Sequence, residues 1–159
     1  MNTWKRASRR RAIVAAIAIG IALGTVEAAG AQIVPQRSIA GVELEMTKAQ
    51  VRSLLGEPRR IIRGTNEFGS FTIFRYFRLE VTFQGGRRVT HIETNRLNER
   101  TAEGVGVGTL RSGVRAHVDN VRCQPGFCFV GRFLPGRRVT VFRICDGIVT
   151  RVELGFVID

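Results

Sequence analysis

Residues 41–58, GVELEMTKAQVRSLLGEP, and residues 104–121, GVGVGTLRSGVRAHVDNV, share one pattern at a constant offset of 63 residues. Gly41 matches Gly104, Val42 matches Val105, Leu44 matches Val107, and Lys48 matches Arg111. Val51 matches Val114, and Arg52 matches Arg115. A short helix written twice has no partner of its own. Each copy must lie on something that its own segment or its twin supplies.

The first copy carries a full set of helix signals. Thr47 is a good N-cap, and Gln50 completes a capping box. Met46 and Val51 form a hydrophobic staple. Val51, Leu54 and Leu55 share one face, Gly56 supplies a left-handed stop, and Pro58 forbids continuation. The second copy is the weaker helix, with Gly113 inside it and the capping box lost.

The stretch after each helix reads as antiparallel strand. FTIFRYF, RLEVTF and RRVTHIETN come after the first, with a hairpin turn at Gln84-Gly85-Gly86. Leu79, Val81 and Phe83 alternate with Arg78, Glu80 and Thr82. Val89 and Ile92 break parity, which predicts a bulge or register change. FCFVGRF, RRVTVFRI and VTRVEL come after the second helix, and VTRVE (149–153) echoes VTHIE (89–93). The chain therefore divides into a signal peptide 1–31, a first helix-plus-hairpin repeat 32–94, a linker 95–103 and a second repeat 104–159. The expected fold class is α+β: a tandem repeat of a short helix followed by antiparallel strands, forming a sheet with helices packed on one face.

This pattern resembles a known superfamily. It holds the secreted β-lactamase inhibitor protein, a tandem repeat, and the small SmpA/OmlA-like lipoprotein of outer-membrane assembly, a single copy. The residues that carry the resemblance are Leu44, Met46-Thr47-Lys48, Gln50-Val51, Leu54-Leu55-Gly56, Pro58 and the hairpin VTFQGGRRVTHI. Glu45 stands where the motif usually has Gly. The resemblance implies a binding or inhibitor-like role, or a helper role in envelope assembly, and a disulfide just after the second helix.

The first 31 residues carry a basic stretch from Lys5 to Arg11, an apolar run from Ala12 to Leu23, and the small-residue pattern Ala29-Gly30-Ala31. That is a secretory signal with cleavage expected after Ala31. The destination is secreted, or the periplasmic or cell-wall space, with membrane contact only transiently through the signal. Residues 32–159 hold 20 Lys+Arg and 12 Asp+Glu, a net of +8, and all but Lys48 of those cations are Arg. Guanidinium favours carboxylates and phosphates, so the expected partner is an acidic protein or an anionic envelope polymer. Export argues against nucleic acid as the natural target. The oxidising destination favours a Cys123–Cys128 bridge, because Pro-Gly in CQPGFC makes a tight turn. Cys145 is odd and ends an apolar run, which predicts a buried free thiol.

No catalytic chemistry is legible. GVGVG at 104–108 lacks the spacing and the surroundings of a phosphate loop. His91 and His117 have no acidic residue at metal-ligand spacing, and no cofactor is implied. A hydrolase using His91 or His117 is the alternative enzymatic reading. The expected surface gathers Phe74, Arg75, Tyr76, Phe77, Arg78, Arg87 and Arg88, with Phe71 nearby, since aromatic rings beside arginines compose binding hot spots. The arginine pairs 59–60, 87–88 and 137–138 sit at strand starts or turns, as one basic rim would require.

Overall fold

The computed structural model describes residues 33–158. The expected signal peptide lies outside the described residues. Strands β1 (Ser38–Ile39) and β2 (Val42–Glu43) form a small hairpin. Helix α1 (Lys48–Leu55) leads into β3 (Arg60–Asn66), β4 (Gly69–Tyr76), β5 (Leu79–Gln84) and β6 (His91–Thr94). Helix α2 (Arg111–His117) leads into β7 (Arg122–Gln124), β8 (Phe127–Gly131), β9 (Arg138–Cys145) and β10 (Ile148–Phe156). The last eight strands make one antiparallel sheet in the order β3-β4-β5-β6-β10-β9-β8-β7. Two four-strand meanders thus meet at a central β6–β10 seam.

The expected α+β class is corrected by this architecture. The described residues are mostly antiparallel sheet, and the two helices span only 8 and 7 residues. Each contributes one buried side chain, Val51 or Val114, so the helices do not form a layer on a sheet face. Strong local start and stop signals made α1 conspicuous in sequence, but such signals report a helix's ends and not its share of the core.

The segments leading into the two meanders have matching backbone geometry. Glu45 and Gly108 both take positive φ, 72° and 91°. Glu45 N–H donates to Val89 O at 2.8 Å, and Gly108 N–H donates to Val149 O at 2.7 Å. Val89 and Val149 return bonds to Met46 O and Thr109 O, each 2.8 Å. These bonds explain the broken parity around Val89: its backbone pairs with the α1 lead-in and leaves β6 to begin at His91. The helix starts differ. Thr47 and Gln50 form a capping box, with Thr47 N–H donating to Gln50 Oε1 at 2.8 Å. Leu110 heads α2 without a side-chain cap.

One face of the sheet holds the core. Phe74, Val81, Ile92, Leu154 and Phe142 are fully buried there, with Val42, Val51, Val105 and Val114 in the same cluster. The other face carries a single register row across all eight strands: Arg60, Arg75, Glu80, Glu93, Glu153, Val141, Phe129 and Arg122. A second, small apolar cluster of Phe129, Val139 and Val141, with Phe127 and Val157, sits at the β7–β9 end of that face. The segment 95–103 is not wholly solvated, since Glu99 and Thr101 are buried. Glu99 pairs with Arg96 at 3.0 Å.

Candidate functional site: an arginine-lined cleft

The β8–β9 connection, Arg132 to Arg137, holds the turn Leu134-Pro135-Gly136-Arg137. Pro presets φ at the first central position, and Gly136 takes φ 72° at the second. Arg137 N–H closes the turn on Leu134 O at 3.0 Å. Gly136 N–H donates to Val157 O, and Val157 N–H donates to Arg137 O, each 2.9 Å, tying the turn to the chain's end. Phe133 and Leu134 are left half-exposed, at 50% and 51%.

Beside this turn lies an open cleft of about 1160 Å³. Arg122, Arg132, Arg137 and Arg138 line it, and Glu45 is its one acidic wall residue. Glu45 is already engaged, because Arg138 Nη2 bonds its Oε2 at 2.9 Å. Arg122 donates to Gly131 O and lies over the Phe129 ring, 4.8 Å from its centroid. Among the described residues Arg132 and Arg137 make no ion pair, so two guanidinium forks face the cleft uncompensated. Val121, Val130, Leu134 and Phe156 form the apolar walls. Gln36 closes one side, held by its N–H to Thr140 Oγ1 at 2.6 Å and its Nε2 to Arg138 O at 3.1 Å.

On the outer sheet face next to the cleft, Phe127, Phe129 and Phe133 form an aromatic group with centroids 4.8 to 6.3 Å apart. Arg143 lies over Phe127 at 5.9 Å. Hydrogen bonding to Glu153 holds the Arg143 proton above its ordinary range.

The expected surface residues divide. Phe74 and Tyr76 belong to the buried face, which corrects their assignment to a surface. Strand alternation separates them from Arg75, and the even-numbered face of β4 is the one turned inward. The Tyr76 hydroxyl donates to Gly56 O at 3.1 Å, and burial raises its pKa. Phe71 is half-buried over Gly64, where an added Cβ would meet its ring at 2.6 Å. Phe77 is 58% exposed in the β4–β5 turn, with Arg59 and Arg78 over its ring at 5.1 and 5.7 Å. Arg75 pairs with Glu80. Arg87 is exposed, and Arg88 donates to Glu45 O at 3.0 Å. Arg75, Tyr76 and Arg78 do line a smaller hollow of about 370 Å³, but Glu80 and Glu93 share it. Its charges balance, whereas those of the larger cleft do not. The arginine pairs form no single rim: Arg88 and Arg138 meet through Glu45, while Arg59 stands with Phe77.

Cys123 and Cys128 are disulfide-bonded, as expected. Cys145 is free but exposed at the β9–β10 turn, which corrects its expected burial. It ends β9 on the rim of the sheet, where no element among the described residues covers it. His91 is half-buried on the outer face, and burial lowers its pKa, while Glu153 and Glu93 oppose that shift. His117 is exposed at the end of α2. Among the described residues no group of three His, Cys, Asp or Glu is placed to hold a metal ion. Among them, too, no helix is long and apolar enough to cross a membrane.

Sequence reasoning missed Arg122, Arg132, Leu134 and the Phe127–Phe129–Phe133 group. One signal was present: RFLPGR sets two large apolar residues in a Pro-Gly turn between arginines.

No family model matches the chain, and no curated protein matches it. Among solved structures, it is similar to a DUF4309 family protein, YjgB, from Bacillus subtilis. The TM-score is 0.45 with 19% identity, over 79% of this chain and 88% of that one.

Proposed function

We propose that this is an exported, non-catalytic binding protein whose arginine-lined cleft recognises an acidic protein or an anionic component of the cell envelope. The observation that carries the reading is the charge imbalance of the cleft, where the described residues set four arginines against one carboxylate that is already paired. A guanidinium with no internal partner is a ready bidentate donor for carboxylate or phosphate. The Cys123–Cys128 disulfide fits an extracytoplasmic location, secreted or in the periplasmic or cell-wall space. The motif resemblance to the inhibitor and small-lipoprotein superfamily also supports a binding role.

The test is binding to soluble polyglutamate and to polyphosphate across a salt series. The parent protein should bind at least one of them, with affinity falling as salt rises. The Arg132→Ser/Arg137→Ser variant should lose about tenfold or more. Absence of binding by the parent, or equal binding by the variant, overturns the reading.

A further inference from the structure

The cleft offers more than charge. Strand β7 pairs with β8 only as far as Phe129, opposite Arg122, while β8 continues through Val130 and Gly131. Those two residues line the cleft, so among the described residues β8 has a short stretch of edge without a strand neighbour on its β7 side. At Gly131 the backbone runs close against β9. The Gly131 φ is 114°, and an added Cβ would meet Arg138 O at 2.5 Å. Arg122 holds Gly131 O, and a backbone pairing along the edge takes that acceptor in its place. The same cleft is lined by the apolar Val121 and Leu134 and by Arg132 and Arg137, which make no ion pair among the described residues.

Three kinds of contact therefore converge: backbone edge, apolar wall and guanidinium. A polyphosphate or a sulfated polymer satisfies only the last. An extended peptide satisfies all three, because alternate side chains of a strand point to opposite sides while its backbone pairs with an edge.

Resting on the anionic-partner reading above, we propose that the ligand is an extended acidic peptide segment with an apolar side chain next to its carboxylates. Its backbone lies along Val130–Gly131, its apolar side chain rests against Val121 and Leu134, and its carboxylates meet Arg132 and Arg137. Charge complementarity selects the acid, and the walls select its apolar neighbour.

Fluorescence anisotropy with dye-labelled short peptides tests this. One peptide alternates Leu and Asp. A second alternates Ser and Asp at the same length and charge. The Leu/Asp peptide should bind about tenfold tighter, the scale set by burying one apolar side chain. Leu134→Ser should erase that difference and leave the Ser/Asp peptide unchanged. N-methylation of the Leu/Asp backbone should weaken it. If the Ser/Asp peptide or polyphosphate binds as tightly as the Leu/Asp peptide, the peptide assignment falls while anion recognition stands. If the parent binds none of the three, both fall.

Discussion

Glu93 and Glu153 lie directly opposite one another across the β6–β10 seam, 60 residues apart in the chain and at matching places in VTHIE and VTRVE. Glu80 sits opposite Glu93 on the next strand. Like charges in register oppose sheet formation. Arginines offset them: Arg143 grips Glu153 with Nε at 2.9 Å and Nη2 at 3.0 Å, and Arg151 reaches Glu93 at 3.3 Å. Arg143→Met should therefore destabilise the protein by about 1 kcal/mol, since the arginine is half-exposed and screened. Adding Glu93→Gln should recover part of that loss. A double-mutant cycle in urea measures both, and additive effects would show that Arg143 does not offset the charge of Glu93.

The helix starts give a contrast between equivalent positions. Thr47→Ala removes the capping oxygen of α1 and should cost about 1 kcal/mol. Leu110 is exposed and uncapped at the head of α2, so Leu110→Thr should stabilise by about 0.5 kcal/mol. Denaturant midpoints of the two variants should move in opposite directions.

His91 sets a pH dependence. Its pKa is lowered by burial in the folded state, so the unfolded chain binds its proton more readily. Its contribution is full above the unfolded value of about 6.5 and is lost as pH falls through that value toward the lowered one. Stability measured between about pH 8 and about pH 5 should fall more in the parent than in His91→Gln. Parallel curves would mean that His91 protonates as easily in the fold as outside it.

Cys145 should react as one exposed thiol in the native protein without denaturant. Cys145→Ser should abolish that reaction and leave stability unchanged within about 0.5 kcal/mol. A native protein that resists labelling would place the thiol in cover that the fold does not show.

Glu99 tests the segment between the two meanders. It is fully buried and held by Arg96. Glu99→Ala should destabilise by about 1.5 kcal/mol, because it removes a charge-assisted bond to the partly exposed Arg96. A change within the range of surface substitutions would mean that 95–103 is a plain solvated link.

The parts legible in sequence were the local ones. Thr47, Gln50, Gly56 and Pro58 act within a few residues of one another, and they marked α1. Leu79, Val81 and Phe83 marked the buried face of β5 by alternation alone. β3 was hidden because RIIRGTN carries a glycine in mid-run. Gly64 is there because the Phe71 ring on the neighbouring strand occupies the space of a side chain. Alternation separated Phe74 and Tyr76 from Arg75, yet parity does not say which side is covered. The cleft was out of reach for another reason. Gln36 meets Thr140 across 104 positions, and Glu45 meets Arg138 across 93. No local pattern encodes such meetings.

The central seam has a consequence for how the chain reaches its fold. Within each meander, successive strands are sequence neighbours, and their pairing closes only short loops. The β6–β10 pairing instead joins segments about 60 residues apart and must meet a larger closure entropy before its bonds form. Closure entropy therefore predicts that the meanders form before the seam, with seam pairing completed after the folding barrier. Substitutions at Glu153 or Leu154 then act mainly on the rate at which the halves come apart, while those at Val81 or Phe83 act on the rate of assembly.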